Sequence, residues 1–320
     1  MSLNTQTLPR LYYPFEDLIS PYAAQLEAET KKWIYNDYAF LPEEIKQKYD
    51  HTNAGYLMAR FYPLATFEQL IPLARFSLWG LTFDDYYEHQ NSQQIRLLRK
   101  RVMAILQGAA PLPSENDLFP QLATMRDELS KLMPPNWMAR FTISMDKYIE
   151  GMELEAPYKA TLQFPSLQEY MAIREKSVDV YPLIDFVELV TTHALPDEVV
   201  HHPIMQKIAA LTCRMIAWCN DYFSVQKEQG RDIMNIILVA QHEYNLSLEE
   251  AYAAAVHIHE QDLEAYLQLT AALPDFGNYN EQVQQFIYYN GLMIQGHKSW
   301  YEIDTRRYGK GGHPEADRFR

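Results

Sequence analysis

The run from Ile208 to Gly230 constrains this chain more than any other stretch. Ile208, Leu211, Ile216 and Trp218 keep helical spacing, and Asn220, Ser224 and Glu228 follow before Gly230 ends the run. At 100° per residue, each i to i+4 step drifts by only about 40°, so these three stay on one face over roughly 12 Å. An apolar helix thus carries an amide oxygen, a hydroxyl and a carboxylate in one stripe. That all-oxygen set suits a hard cation such as Mg²⁺. Lys227 flanks the stripe and can answer an anion held by the metal. The plainer alternative is a solvated polar face on a packed helix.

A second stretch bears on that choice. Phe76-Ser77-Leu78-Trp79-Gly80-Leu81-Thr82-Phe83 is almost wholly apolar, and Asp84-Asp85-Tyr86-Tyr87-Glu88 follows at once. Asp84 and Glu88 are i, i+4 neighbours with Asp85 beside them. Carboxylates clustered at the end of a buried helix need neutralising, because unpaired buried charge is costly. A divalent metal would do this directly, whereas a helix merely emerging into solvent would not need it.

Together the two stretches resemble the class I terpene synthases of the bacterial type. That family pairs a DDxx(D/E) motif, here Asp84, Asp85 and Glu88, with an NDxxSxxxE motif, here Asn220, Asp221, Ser224 and Glu228. Arg174, 46 positions before Asn220, matches the family's diphosphate-sensing Arg, and Arg307-Tyr308 matches its C-terminal Arg-Tyr pair. One departure is Val178, where relatives often carry Gly at a helix break that aims a backbone carbonyl at the substrate. Ser177 precedes it, and Pro182 can still supply a break by removing a backbone hydrogen bond.

Composition agrees with such a reading. The chain has 320 residues, a net charge of -14 and only 11 Gly, with no glycine-rich nucleotide loop. The negative balance argues against nucleic acid or an anionic membrane as partner. No apolar run is long enough to span a bilayer and no signal core opens the chain, so a cytoplasmic protein is expected. Cys213 and Cys219 are six apart, about 240° around a helix, so they read as reduced core thiols. The 23 Tyr and 14 Phe exceed what a routine helical core needs.

The pattern predicts an all-α chain in one domain: an extended arm over 1–14, a helical domain over 15–308 and a mobile polar tail over 309–320. Helices are expected from about Phe15 to Tyr38, Phe67 to His89, Trp137 to Tyr158 and Pro196 to Gly230. Capping boxes at Ser166–Glu169 and Ser247–Glu250 open two more. The helix carrying Arg174 should break near Pro182, and the last should run from Tyr279 to Ile303. Asp304 and Arg306 read as solvated, with Arg306 competing with Arg307 for the anion, and His257 and His259 as surface residues. Glu198-Val199-Val200-His201 has the E-x-x-H spacing of di-iron bundles but no second copy, so it reads as a helix-start loop.

The resemblance implies a fold and a reaction. The fold is a class I terpenoid synthase helical bundle around a central cavity, and the reaction ionises and cyclises a linear isoprenoid diphosphate. The substrate expected is farnesyl diphosphate, with geranylgeranyl diphosphate as the alternative. Asp84, Asp85, Glu88, Asn220, Ser224 and Glu228 would hold three Mg²⁺ ions, which Mn²⁺ can replace. Arg174, Lys227, Arg307 and Tyr308 would bind the diphosphate. Catalysis would fall to Asp84, Arg174, Asn220, Ser224 and Glu228, and the pocket to Phe76, Leu81, Ser177, Val178, Tyr181 and Trp300. The released diphosphate itself can serve as the final base. A homodimer is compatible with the family. Two rivals are a chain-elongating prenyltransferase, which would need a second DDxxD motif, and a helical interaction protein without activity.

Overall fold

A computed structural model describes residues 8–192, 194–309, 312 and 313. These residues form an all-helical bundle, and no strand occurs among them. Six helices precede the longest one: α1 (Ala23–Asp37), α2 (Glu43–Tyr49), α3 (Ala54–Phe61), α4 (Phe67–Tyr87), α5 (Ser92–Leu106) and α6 (Leu118–Leu132). α7 (Pro135–Thr161), α8 (Leu167–Ser177), α9 (Val180–Val190) and the short α10 (Asp197–Val200) follow. α11 (Pro203–Glu228), α12 (Ile236–Tyr244), α13 (Leu248–Ala271) and α14 (Asn280–Ser299) complete the bundle, and a π-helical turn over Trp300–Asp304 extends α14. Among the described residues, no helix is long and apolar enough to cross a membrane.

Local signals set many of these ends. Ser166 and Ser247 accept from the amides of Glu169 and Glu250, whose side chains return to the cap amides, so α8 and α13 start at capping boxes. α1 starts at Ala23, eight residues later than the apolar pattern suggests. The Ser20 amide donates to the Ala59 carbonyl (2.9 Å), a tertiary bond that replaces a helical one. Residues 8–14 of the arm are non-helical, and Tyr13 packs its hydroxyl 2.9 Å from Nε2 of His259. His259 is therefore buried rather than at the surface, and burial pulls its pKa down to about 4. Residues 1–7 of the expected arm lie outside the described residues.

Two further expectations change. The break after the Arg174 helix falls at Val178–Asp179, where Asp179 adopts φ 63°, a left-handed conformation that Asp tolerates. Pro182 sits in the first turn of α9, where its missing N–H would have had no helical partner. Asp304 is not solvated: it pairs with Arg60 at 2.8 Å and its side chain is 7% exposed. In the segment expected to be a mobile tail, His313 is buried and its carbonyl accepts from Lys48 Nζ at 3.0 Å. Lys310, Gly311 and residues 314–320 lie outside the described residues.

Two packing contacts make predictions. A Cβ on Gly151 of α7 would stand 2.4 Å from the backbone nitrogen of Ser177, the last residue of α8. Gly151→Ala should destabilise the chain by about 1–3 kcal/mol, seen as a lower Tm, because backbone cannot yield cheaply. Glu27 on α1 accepts from the Gly55 amide at 2.9 Å, and burial pushes its pKa up from 4.5 to about 7. Folded Glu27 keeps its proton to a higher pH than unfolded Glu27. Its contribution is therefore complete below pH 4.5 and is lost as pH rises through about 7. The Tm of Glu27→Gln minus that of the wild type should increase between pH 5 and pH 8; a flat difference would refute this assignment.

Candidate active site

A central cavity is lined by α3, α4, α7, the α8–α9 break, α11, α14 and the π-helical turn. Its chemistry is divided. Asp84, Glu88, Glu155, Lys159, Arg174, Asn220, Lys227, Glu228, Asp232, Arg307 and Tyr308 make it polar at one end. Leu57, Met58, Phe61, Phe76, Leu81, Val180, Leu183, Ile216 and Trp300 line the rest. Helical spacing explains the division on α4, since Phe76, Gly80, Asp84 and Glu88 recur every four residues on one face.

Asp84 and Glu88 both line the cavity, but Asp85 does not. One residue along a helix turns about 100°, which carries Asp85 into the core, where it is 1% exposed. There Tyr49 donates to Oδ2 and Arg307 to Oδ1, both at 2.5 Å. Asp85, expected among the metal ligands, thus lies off the cavity and positions Arg307. The Nε and Nη1 of Arg307 are buried without hydrogen-bond partners, and Arg307 and Tyr308 line the cavity. Arg306 is exposed and does not line the cavity, whereas Arg307 does.

The second motif repeats this device. Asp221, 0% exposed, accepts from Arg174 Nε at 3.1 Å, from the Tyr170 hydroxyl and from the Ile236 amide at 2.9 Å. Arg174 also donates to Asn220 Oδ1 at 2.9 Å and lines the cavity. The Asp at the second position of each motif therefore holds an arginine in place. The carboxylates of Asp84 and Glu88 on one side face Asn220, Lys227 and Glu228 of α11 on the other.

Ser224 lies beneath this surface, 1% exposed, and accepts from Asn235 Nδ2 at 3.3 Å. The same Asn235 nitrogen donates to Glu228 Oε2 and to the Asp221 carbonyl, each at 2.8 Å. The Ser224 hydroxyl, the Glu228 carboxylate and the Asp221 carbonyl thus converge on one neutral amide donor, and a set of oxygens is what a hard cation takes. Burial pushes Glu88 up to about 8, with Asp85 and Asp84 adding to it against the pull of Lys159, so this carboxylate lacks a sufficient counter-charge. Among the described residues, no three His, Cys, Asp or Glu side chains gather closely enough to hold a metal alone. Each wall supplies part of a coordination shell, and water or an anion between the walls would complete it, as is usual for Mg²⁺.

Sequence reading missed several lining residues. Glu155 and Lys159 pair at 3.1 Å on α7, and Lys159 reaches Asp232 at 3.4 Å. Burial pulls the Lys159 pKa down, but Asp232, Glu155, Asp84 and Glu88 outweigh it and hold the ammonium well above its ordinary value. Their only sequence signal is an i, i+4 Glu–Lys pair, which most surface helices also carry. Tyr301 hydrogen-bonds to Asn220 (2.7 Å), and His297 lines the cavity one turn before it. Of the pocket residues expected, Phe76, Leu81, Ser177, Val178 and Trp300 line the cavity. Tyr181 does not: the break turns it outward to a separate cleft, where Lys147 Nζ lies 4.8 Å from its ring centroid.

The family model for Terpene synthase family 2, C-terminal metal binding, matches residues 75–265, which span both motifs. The chain is 30% identical over 303 residues to a (+)-T-muurolol synthase ((2E,6E)-farnesyl diphosphate cyclizing) of Roseiflexus castenholzii, covering 93% of each chain. It is 28% identical to a 10-epi-cubebol synthase of Sorangium cellulosum, covering 91% of this chain and 94% of that one. The crystal structure of an α-eudesmol synthase shares the fold, with a TM-score of 0.82 at 20% identity over 92% of this chain and 99% of that one. With both motifs lining one half-polar cavity and the family match spanning them, the chain belongs to the terpene synthase family and is a lyase of that family.

Proposed function

We propose that this enzyme ionises farnesyl diphosphate and cyclises it to a sesquiterpene hydrocarbon or alcohol, releasing diphosphate. The division of one cavity into a charged end and an apolar remainder carries this reading, because the substrate is divided in the same way. Arg307 brings two unpartnered donors to the charged end, and Arg174, Lys227 and Tyr308 stand beside it. Asp84, Glu88, Asn220, Ser224 and Glu228 are the residues that would hold divalent metal, with three Mg²⁺ expected and Mn²⁺ able to substitute. When bound, such cations supply Lewis-acid stabilisation of the negative charge that develops as the carbon–oxygen bond breaks.

The chain's own residues do the rest. Arg174 and Arg307, fixed by Asp221 and Asp85, are preorganised donors for the leaving group and need no rearrangement as charge develops. Phe61, Phe76, Trp300 and the aliphatic wall fold the isoprenoid chain and keep water from the cation, while ring faces stabilise it. Farnesyl diphosphate is also the substrate for which the Roseiflexus relative is named as a cyclase.

Purified protein with Mg²⁺ should be incubated separately with geranyl, farnesyl and geranylgeranyl diphosphate, and the extracts analysed by gas chromatography–mass spectrometry. A cyclic fifteen-carbon product from farnesyl diphosphate is expected, and Asp84→Asn should suppress it. Unreacted or merely hydrolysed farnesyl diphosphate would refute the reading, and a cyclic twenty-carbon product alone would move it to a diterpene synthase. Mg²⁺ with inorganic diphosphate should also raise Tm, since ligands that bind only the folded chain stabilise it.

A further inference from the structure

The cyclisation proposed above must end by losing a positive charge, and the cavity wall holds a group suited to remove it. We propose that His297 is the base that takes the final proton, from a carbon–hydrogen bond of the last carbocation. This inference rests on the cyclase reading and adds a residue to it.

His297 lies on α14, where the neighbouring Gly296 fixes the backbone: a Cβ there would stand 2.5 Å from the Arg60 carbonyl of α3. The imidazole lines the cavity one helical turn, about 6 Å, along α14 from Tyr301, the residue that contacts Asn220. There α14 packs on α3, whose Leu57, Met58 and Phe61 also line the cavity. Three rings surround it: Tyr301 at 4.9 Å, Phe61 at 5.6 Å and Trp300 at 6.3 Å between centroids. A carbocation is stabilised against aromatic faces, so positive charge is drawn to the place where this imidazole stands.

His297 is 5% exposed, and its Nδ1 is buried with no hydrogen-bond partner. Burial, reinforced by Arg174, pulls its pKa down to about 3, so the ring enters every cycle neutral. A neutral imidazole keeps one nitrogen lone pair in either tautomer. Weak basicity is no obstacle, because a carbon–hydrogen bond beside a cationic carbon is a far stronger acid than an imidazolium. In the step, that bond breaks, its electron pair forms the carbon–carbon double bond, and the proton joins the ring nitrogen. The imidazolium, disfavoured by burial and by Arg174, returns the proton to water when the site opens for product release.

Other lining groups fit the task less well. Lys159 and Arg174 are held protonated by neighbouring carboxylates. Burial, and then Asp84, pushes the pKa of Asp179 well up, which favours its protonated form at the cavity wall. Asp84, Glu88 and Glu228 belong to the charged end, where the diphosphate is held.

The test is the product distribution from farnesyl diphosphate for the wild type, His297→Phe and His297→Gln, with released diphosphate measured in the same reactions. Phe keeps a ring between Trp300 and Phe61 but has no lone pair; Gln keeps an acceptor that cannot take the proton. The principal wild-type product should be an alkene. Its share of total terpene should fall about tenfold or more in both variants, replaced by alkenes with the double bond elsewhere or by alcohols. An unchanged distribution in either folded variant would overturn the proposal, as would an alcohol as principal wild-type product. Loss of diphosphate release in both variants, with circular dichroism unchanged, would also overturn it by placing the ring before the cation forms. Failure of the wild type to cyclise would instead refute the cyclase reading, so the two failures are distinct.

Discussion

Asp85→Ala is expected to lose about 3–5 kcal/mol of stability, although Asp85 touches no part of the cavity. The mutation leaves Arg307, 4% exposed at its side chain, as a buried cation without its counter-charge. It also removes the acceptor of the Tyr49 hydroxyl. In a chain of this size the loss should lower Tm by roughly 10 °C. Turnover should fall as well, because Arg307 would no longer be aimed at the leaving group. Asp85→Asn, which retains a hydrogen-bond acceptor, should lose less of both. A Tm within 2 °C of the wild type for Asp85→Ala, about the shift of 1 kcal/mol or less, would show that the pair is not the anchor described here.

Glu228→Gln should have the largest effect on catalysis. The side chain keeps its length and its acceptor for Asn235, so the fold should tolerate it. What disappears is the carboxylate charge that faces Asp84 and Glu88 across the cavity. Loss of one preorganised group of this kind typically reduces turnover by about 10²–10³-fold. If Glu228 acts by holding metal, part of that loss should return when Mg²⁺ is raised tenfold. A loss that does not respond to Mg²⁺ would instead assign Glu228 to packing around Asn235. Stability measured without metal separates the two outcomes, since only the packing role predicts a lower Tm.

Both residues show where sequence reasoning stops. The order of the elements, the polar stripe on α11, the acidic end of α4 and the arginine before the break all follow from periodicity, capping and motif spacing. These are local properties: the i, i+4 rule places Asn220, Ser224 and Glu228 on one face whatever surrounds the helix. Local rules do not say which helix covers that face, or whether Asp84 or Asp85 meets the cavity. The two residues differ by about 100° of rotation, and only the position of α2 and of the chain after the π-helical turn gives Asp85 its partners Tyr49 and Arg307.

The same reason accounts for Tyr181, Asp304 and His259. Tyr181 turns away because the chain breaks at Asp179 rather than at Pro182, and backbone conformation at a single residue sets the rotation of the whole following helix. Asp304 and His259 are buried by Arg60 and Tyr13, partners 244 and 246 positions away along the chain. Glu155, Lys159 and His297 reach the cavity only because α7 and α14 close around it. By itself the sequence determined which helices form and which side chains share a face, because a helix obeys its own geometry. Tertiary structure alone decided which faces meet, because burial, pairing of charge and the route of the chain between helices depend on contacts across the whole bundle.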